Sequence, residues 1–155
     1  MSKLPFGFEQ PEDSPGFLLW QTMVIWQRRI KKALEPYDIT HPQFVLMAQV
    51  LWLGHHSEEA PNQITLVKMS KLDKMTVSQS LKKLVIQDLV KRTEHANDTR
   101  AKGVWLTKDG EKLIQQLVPI VEKIDAEFFG VLPLPQQQSL LHCLHTLAQI
   151  REAHE

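Results

Sequence analysis

The sequence predicts a mainly α-helical fold that carries one small β-hairpin. Three observations predict it. Apolar residues recur at spacings of three and four through most of the chain, the signature of helices with a buried face. After Leu89 the pattern changes to two short stretches of strand character separated by turn residues. The chain has 155 residues, 43% of them hydrophobic, which suits one domain with its own core.

The elements follow in order. Residues 1–13 are acidic, Pro-rich and aperiodic and read as a loose arm, with Phe6 and Phe8 available to tuck against a partner. Residues 14–155 read as a single domain. Ser14 is placed as an N-cap and Pro15 at the first helical position, so a helix starts there and stops at Leu34, before Pro36. Its first half (Phe17, Leu18, Leu19, Trp20, Met23, Val24, Ile25, Trp26) is apolar nearly all round, so it should be buried on more than one side, by a second subunit or around a ligand. Thr40 caps a second helix, from about Pro42 to Leu53, and residues 54–61 read as a loop.

A third helix spans Gln63 to about Ser70. Asp73 then caps a fourth, Lys74 to Gln87, with Leu72 and Val77 able to form a hydrophobic staple. Val77, Leu81, Leu84 and Val85 share one face of it. Strands are expected over Val90–His95 and Lys102–Thr107, with Ala96–Arg100 as the turn. Thr107 caps a long helix to Phe129, with Asp109 and Glu111 at the positive end of its dipole and Pro119 kinking it. The Pro133–Pro135 turn leads to a last helix, Gln136 to about Glu152, whose apolar face is Leu140, Leu141, Leu144, Leu147 and Ile150.

Two short helices joined by a turn of three or four residues make a helix-turn-helix, and the hairpin after it is a wing. The outer face of the Lys74–Gln87 helix is small, polar and basic, which suits a DNA major groove. Thr76, Gln79 and Lys83 are placed to meet base edges, with Lys74, Ser78, Ser80 and Lys82 as phosphate or positioning contacts. Arg100 and Lys102 on the wing are placed to reach phosphates or a minor groove. Charge supports this. Net charge is zero, yet Asn62–Thr107 holds nine Lys and Arg against four acids, a net +5 on a remainder of −5.

The runs Leu72-Asp-Lys-Met-Thr-Val-Ser78, Leu89-Val-Lys-Arg92 and Asn97-Asp-Thr-Arg-Ala-Lys102, followed by Val104-Trp-Leu-Thr107, resemble the MarR family of winged helix-turn-helix regulators. Ile39-Thr40-x-Pro42-Gln43-Phe44 and Thr107-x-x-Gly110 extend the likeness over nearly the whole chain. Two positions depart from the family: Gln79 stands where Arg is usual, and Asp88 where Gly is often found. The resemblance implies a homodimer that binds a pseudo-palindromic duplex, with residues 14–35 and 108–155 as dimerisation helices and 36–107 as the DNA-reading lobe. It also implies a repressor released by a small aromatic ligand, in a pocket for which Trp20, Met23, Trp26, Arg29, Met47 and Trp52 are the candidates. A core made of the same residues is the other reading.

Other chemistry finds little support. No phosphate loop, nucleophile elbow or paired carboxylates point to an enzyme or to a cofactor. His55, His56, Glu58 and Glu59, and His142 with His145, are conceivable zinc ligands without a convincing full set, which leaves a zinc-responsive regulator as an alternative. A winged-helix interaction module without DNA binding is the other, invited by Gln79. Cys143, between Leu141 and Leu144, reads as a small buried hydrophobe. A lone cysteine and no apolar leader or spanning segment lead to an expectation of a cytoplasmic chain with no membrane partner.

Overall fold

The computed structural model describes residues 3–93 and 103–151. Its elements are α1 (Pro15–Leu34), α2 (His41–His56), α3 (Gln63–Ser70), α4 (Lys74–Ile86), β1 (Val90–Arg92), β2 (Val104–Leu106), α5 (Lys108–Phe129) and α6 (Leu134–Ala148), with 3-10 turns at Pro11–Asp13 and Glu35–Tyr37. The mainly α fold with a hairpin wing is the architecture expected from the sequence.

Helix starts are written in the sequence. Ser14, Thr40, Asn62, Asp73 and Thr107 each accept, through a side-chain oxygen, the backbone N–H three residues on, satisfying donors that a helix leaves free. At Thr40 the bond is reciprocal, because Gln43 Oε1 accepts the Thr40 N–H at 2.9 Å. The end of α4 is a Schellman motif. Leu89 N–H donates to Leu84 O and Asp88 N–H to Val85 O, both at 3.0 Å, and Asp88 adopts the left-handed conformation (φ 59°). Asp88 thus fills the position where glycine is often found, as a variant cap. Helix α5 continues through Pro119.

The core lies where α2 meets α4 and α5. Leu46, Met47 and Val50 of α2 pack with Leu66, Val77, Leu81 and Leu84 of α3 and α4, Ile114, Leu117 and Val121 of α5, and Ile30 and Leu34 of α1. Each such side chain contributes ~1.5–3 kcal/mol by leaving water. The strands pair antiparallel, Val90 with Leu106 and Arg92 with Val104, and turn Val90 and Val104 into this core. Asn62 bridges Gly103, and Val104 N–H donates to Pro61 O at 2.8 Å, so the segment entering α3 is tied to the wing.

Several expectations are corrected. Helix α2 extends beyond Leu53 through His56, because His56 stacks on Trp52 (4.0 Å between centroids) and its Nδ1 meets Trp52 O at 2.7 Å, closing one more turn. Helix α6 runs Leu134–Ala148 rather than from Gln136 to about Glu152, since Pro133 O accepts from Gln136 and Gln137 and starts the helix early. The paired strands are shorter than the stretches proposed. The outer parts of those stretches, His95 and Lys102 included, and the Ala96–Arg100 turn lie outside the described residues. Within one chain no residue in the first half of α1 is buried, which leaves its apolar surface for the second subunit or ligand expected to cover it; Ile30 and Leu34 are the buried residues of that helix. Helix α6 has no buried residue, so Leu141, Leu144, Leu147 and Ile150 are exposed and Cys143 is an exposed thiol rather than a buried hydrophobe. Among the described residues, no element covers that apolar pattern to the point of burial.

Candidate nucleic-acid interface and adjoining groove

Helix α4 is presented by a tight turn. Lys71 sits in the left-handed region (φ 62°) after α3, Ser70 Oγ donates to Val67 O, and Leu72 N–H donates back to Ser70 Oγ at 3.1 Å. Asp73 then accepts the Thr76 N–H at 2.8 Å and the Thr76 hydroxyl at 2.6 Å. The Thr76 hydroxyl first, and its N–H second, hold the Asp73 carboxyl below the usual carboxylate range. An ionised group at this end of α4 complements the helix dipole.

With Val77, Leu81 and Leu84 turned inward, Lys74, Ser78, Gln79, Lys82 and Lys83 are exposed, while Thr76 and Ser80 are half-buried. Thr76 therefore spends its proton on the cap and serves the face mainly by holding it in place. At roughly 100° per residue, Met75 and Ile86 lie beside Gln79 at the middle of the outer face. They are 69% and 76% exposed. Sequence reasoning passed over both. The available signal was an apolar residue lying off the Val77–Leu81–Leu84 stripe. Trp105 on the outer side of β2 stands across from Lys91. Arg100 and Lys102 lie outside the described residues.

Behind this face is an open groove of about 780 Å³. Its walls are Val24, Gln27, Arg28 and Lys31 of α1, the segment Glu35–Pro42 in part, Val45 of α2, and Ser70 and Leu72 of the turn before α4. Arg28 and Lys31 supply positive charge, Glu35 and Asp38 negative. His41, also on the wall, is held below its ordinary pKa by burial, against the opposing pull of Asp125. Its ring meets Trp26 edge-on at 5.1 Å, and the Trp26 indole N–H donates to Asp125 Oδ1 at 2.7 Å, joining α1, α2 and α5.

Residues 35–123 match the ArnR1-like winged-helix domain family. The uncharacterised HTH-type transcriptional regulator YdcH of Bacillus subtilis (strain 168) is 38% identical over 123 residues, covering 79% of this chain and 83% of that one. The structure of a MarR-family transcriptional regulator from Rhodococcus sp. RHA1 superposes with a TM-score of 0.77 at 21% identity, over 92% of this chain and 97% of that chain. This chain belongs to the MarR family of winged helix-turn-helix transcriptional regulators. BpsR of Bordetella bronchiseptica, solved for the regulation of its DNA binding by 6-hydroxynicotinic acid, shares the fold with a TM-score of 0.81 and 23% identity, over 96% of this chain and all of that one.

In this MarR-family chain the six residues first assigned to a pocket do not converge. Met47 is fully buried in the core, and Trp52 is exposed and stacked on His56. Arg29 lies over the Phe128 ring at 5.3 Å. Trp20 and Met23 are exposed, with Trp20 beside a smaller depression of about 310 Å³, and Trp26 is tied to Asp125. The reason is rotational for three of them and axial for a fourth. Positions 24, 27, 28 and 31 form the stripe of α1 that faces the groove, with Met23, Trp26 and Arg29 on neighbouring stripes, whereas Trp20 is on that stripe but one turn before Val24, where the groove's wall begins. Among the described residues, no three of His, Cys, Asp and Glu come together to hold a metal ion, and no helix is long and apolar enough to cross a membrane.

Proposed function

We propose that this MarR-family regulator acts as a homodimeric repressor that leaves DNA when a small aromatic acid enters the groove behind α4. Each subunit inserts α4 into a major groove. Gln79 and Lys83 meet base edges, with Met75 against a thymine methyl, while Lys74, Ser78, Ser80 and Lys82 engage phosphates and Thr76 positions the helix. Arg100 and Lys102 hold the flanking backbone. Two-fold symmetry sets half-sites about one turn, ~34 Å, apart.

The observation that carries this reading is the shared wall. Ser70 and Leu72 belong both to the groove and to the turn that presents α4, so a molecule lodged there meets the DNA-reading unit directly. Arg28 and Lys31 on the α1 wall can pair with a ligand carboxylate in a groove whose charge Glu35 and Asp38 otherwise balance, and regulation of BpsR DNA binding by 6-hydroxynicotinic acid is a parallel in a protein of the same fold. For the dimer, the support is the apolar surface of α1 and α6, where Leu18, Leu19, Leu141 and Leu147 are 42–67% exposed.

Fluorescence anisotropy tests it, with duplexes selected by the protein from a random pool, across a salt series, for wild type and Arg100→Ala. Tight binding that falls linearly in log salt, a weaker Arg100→Ala and a dimeric mass by light scattering are expected. No binding even at low salt would end the regulator reading; a monomer bound to a single half-site would end the dimer.

A further inference from the structure

The groove and α4 are joined by a second connection, made of side-chain amides. Gln43 is 1% exposed. Its Oε1 accepts the Thr40 N–H, so its Nε2 is turned toward Gln87, where it donates to Gln87 Oε1 at 3.0 Å. That leaves the Gln87 amino group for Asp38, and it donates to Asp38 O at 2.9 Å and lies 3.4 Å from Asp38 Oδ2. The order of donors is fixed along the row. Flipping either amide would set oxygen against oxygen at one end and N–H against N–H at the other.

The ends of the row matter. Asp38 and Thr40 line the groove. Gln87 is the C-cap of α4. Asp38 is a single left-handed residue (φ 54°) between the Glu35–Tyr37 turn and Ile39, and its own N–H is held by Glu35 O at 3.0 Å. It is therefore a defined corner that an occupant of the groove would press on. Helix α4 has 13 residues and is about 20 Å long. A tilt of about 5° imposed at its C-cap moves its DNA-reading end by about 1.7 Å at that length, enough to take a side chain out of hydrogen-bond range of a base.

We propose that Gln87, held between Gln43 and Asp38, is the positioning residue that carries the state of the groove to the recognition helix. This rests on the groove being the effector site. Coupling needs an element with two arrangements that both sites bias, and the amide row supplies a tie from groove wall to helix end that does not pass through the Ser70–Leu72 turn. Gln87→Glu keeps an acceptor for Gln43 and sets a carboxylate against Asp38. Gln87→Leu removes both ties.

The test uses a tethered occupant, so that no natural ligand is required. In a Cys143→Ser background, Gln27→Cys places the chain's one thiol on the groove wall, and a naphthyl maleimide attached there is the occupant. DNA affinity is measured with and without the label, on a duplex selected by the wild-type protein, in backgrounds carrying Gln87, Gln87→Glu or Gln87→Leu. The quantity read is the ratio of the two affinities, which a merely structural role for Gln87 would leave unchanged. The label is expected to weaken binding at least 10-fold with Gln87 in place and less than 2-fold in both variants. An equal loss in all three backgrounds overturns the relay and leaves the groove as effector site, coupled through the turn. A label without effect in the Gln87 background removes the effector reading and the relay with it.

Discussion

Glycine-to-alanine changes at two helical positions should move stability in opposite directions. At Gly110, near the start of α5, a Cβ would fall inside the van der Waals envelope of Leu89 O, 2.8 Å from the Leu89 carbonyl carbon and 3.2 Å from its Cα. These are backbone atoms, so the joint must open by roughly an ångström, an overpacking strain of ~1–3 kcal/mol. Opening it loosens the Thr107 N–H to Leu89 O bond (3.1 Å) and the Thr107 hydroxyl to Asp88 O bond (2.7 Å), each worth ~1 kcal/mol. Removing a glycine from a helix returns ~1 kcal/mol. The net loss is ~2–4 kcal/mol, and at ~2–4 °C per kcal/mol for a chain of this size Tm should fall by ~4–16 °C. At Gly54, in the last turns of α2, no atom lies within 4 Å of the added Cβ, and the same change should raise Tm by ~1–4 °C. Thermal unfolding followed by circular dichroism, at one fixed protomer concentration, measures both. Gly110→Ala within ~2 °C of wild type would refute the reasoning, as would two variants that shift together.

Further predictions concern the site. Lys82→Ala, which removes a phosphate contact, should weaken binding to selected and random duplexes alike and reduce the salt slope by ~0.9, read from anisotropy titrations, whereas Lys83→Ala should lose affinity mainly on the selected duplex. Gln79→Ala should cost ~1–3 kcal/mol on the selected duplex and little on random DNA, measured the same way. Because burial depresses the pKa of His41 in the folded chain, the unfolded chain takes up that proton first as pH falls. The contribution of His41 to stability is therefore complete above about pH 6.5 and is lost as pH falls through the folded value; urea midpoints from pH 8 to 5 should show a shallower slope in His41→Gln. Trp26→Phe removes the donor to Asp125 and should cost ~1 kcal/mol in urea unfolding.

The sequence made legible what depends on neighbours along the chain. Caps are local chemistry, and Ser14, Thr40, Asp73 and Thr107 each stand at an observed helix start. The inward stripe of α4 follows from periodicity alone. What escaped depends on rotation and on partners. Met23 and Trp26 share a helix with Val24 and Arg28, yet which stripe faces the groove is decided by how α1 seats on α5, and how far along α1 the groove extends, which leaves out Trp20, is decided the same way. The pattern around Leu141 and Leu144 suggests a buried Cys143, yet the thiol is exposed because, among the described residues, none covers this side of α6 to the point of burial. Met75 and Ile86 were hidden by the assumption that a DNA-facing surface is polar. The Gln43–Gln87–Asp38 row joins residues 44 and 49 positions apart, a separation over which spacing carries no information.

The four tryptophans fall one to each structural part: Trp20 on the bare half of α1, Trp26 at the joint of α1, α2 and α5, Trp52 at the end of α2 and Trp105 on the wing strand. Their surroundings differ. One indole is open to water, one is anchored to a carboxylate beside an imidazole, one is stacked on an imidazole, and one lies on the outer side of a hairpin. The molecule thus carries its own optical labels. Variants retaining a single indole would allow the α1 surface, the helix joint and the wing to be followed separately in stopped-flow records, and the order in which they respond during one binding event could be timed without any dye.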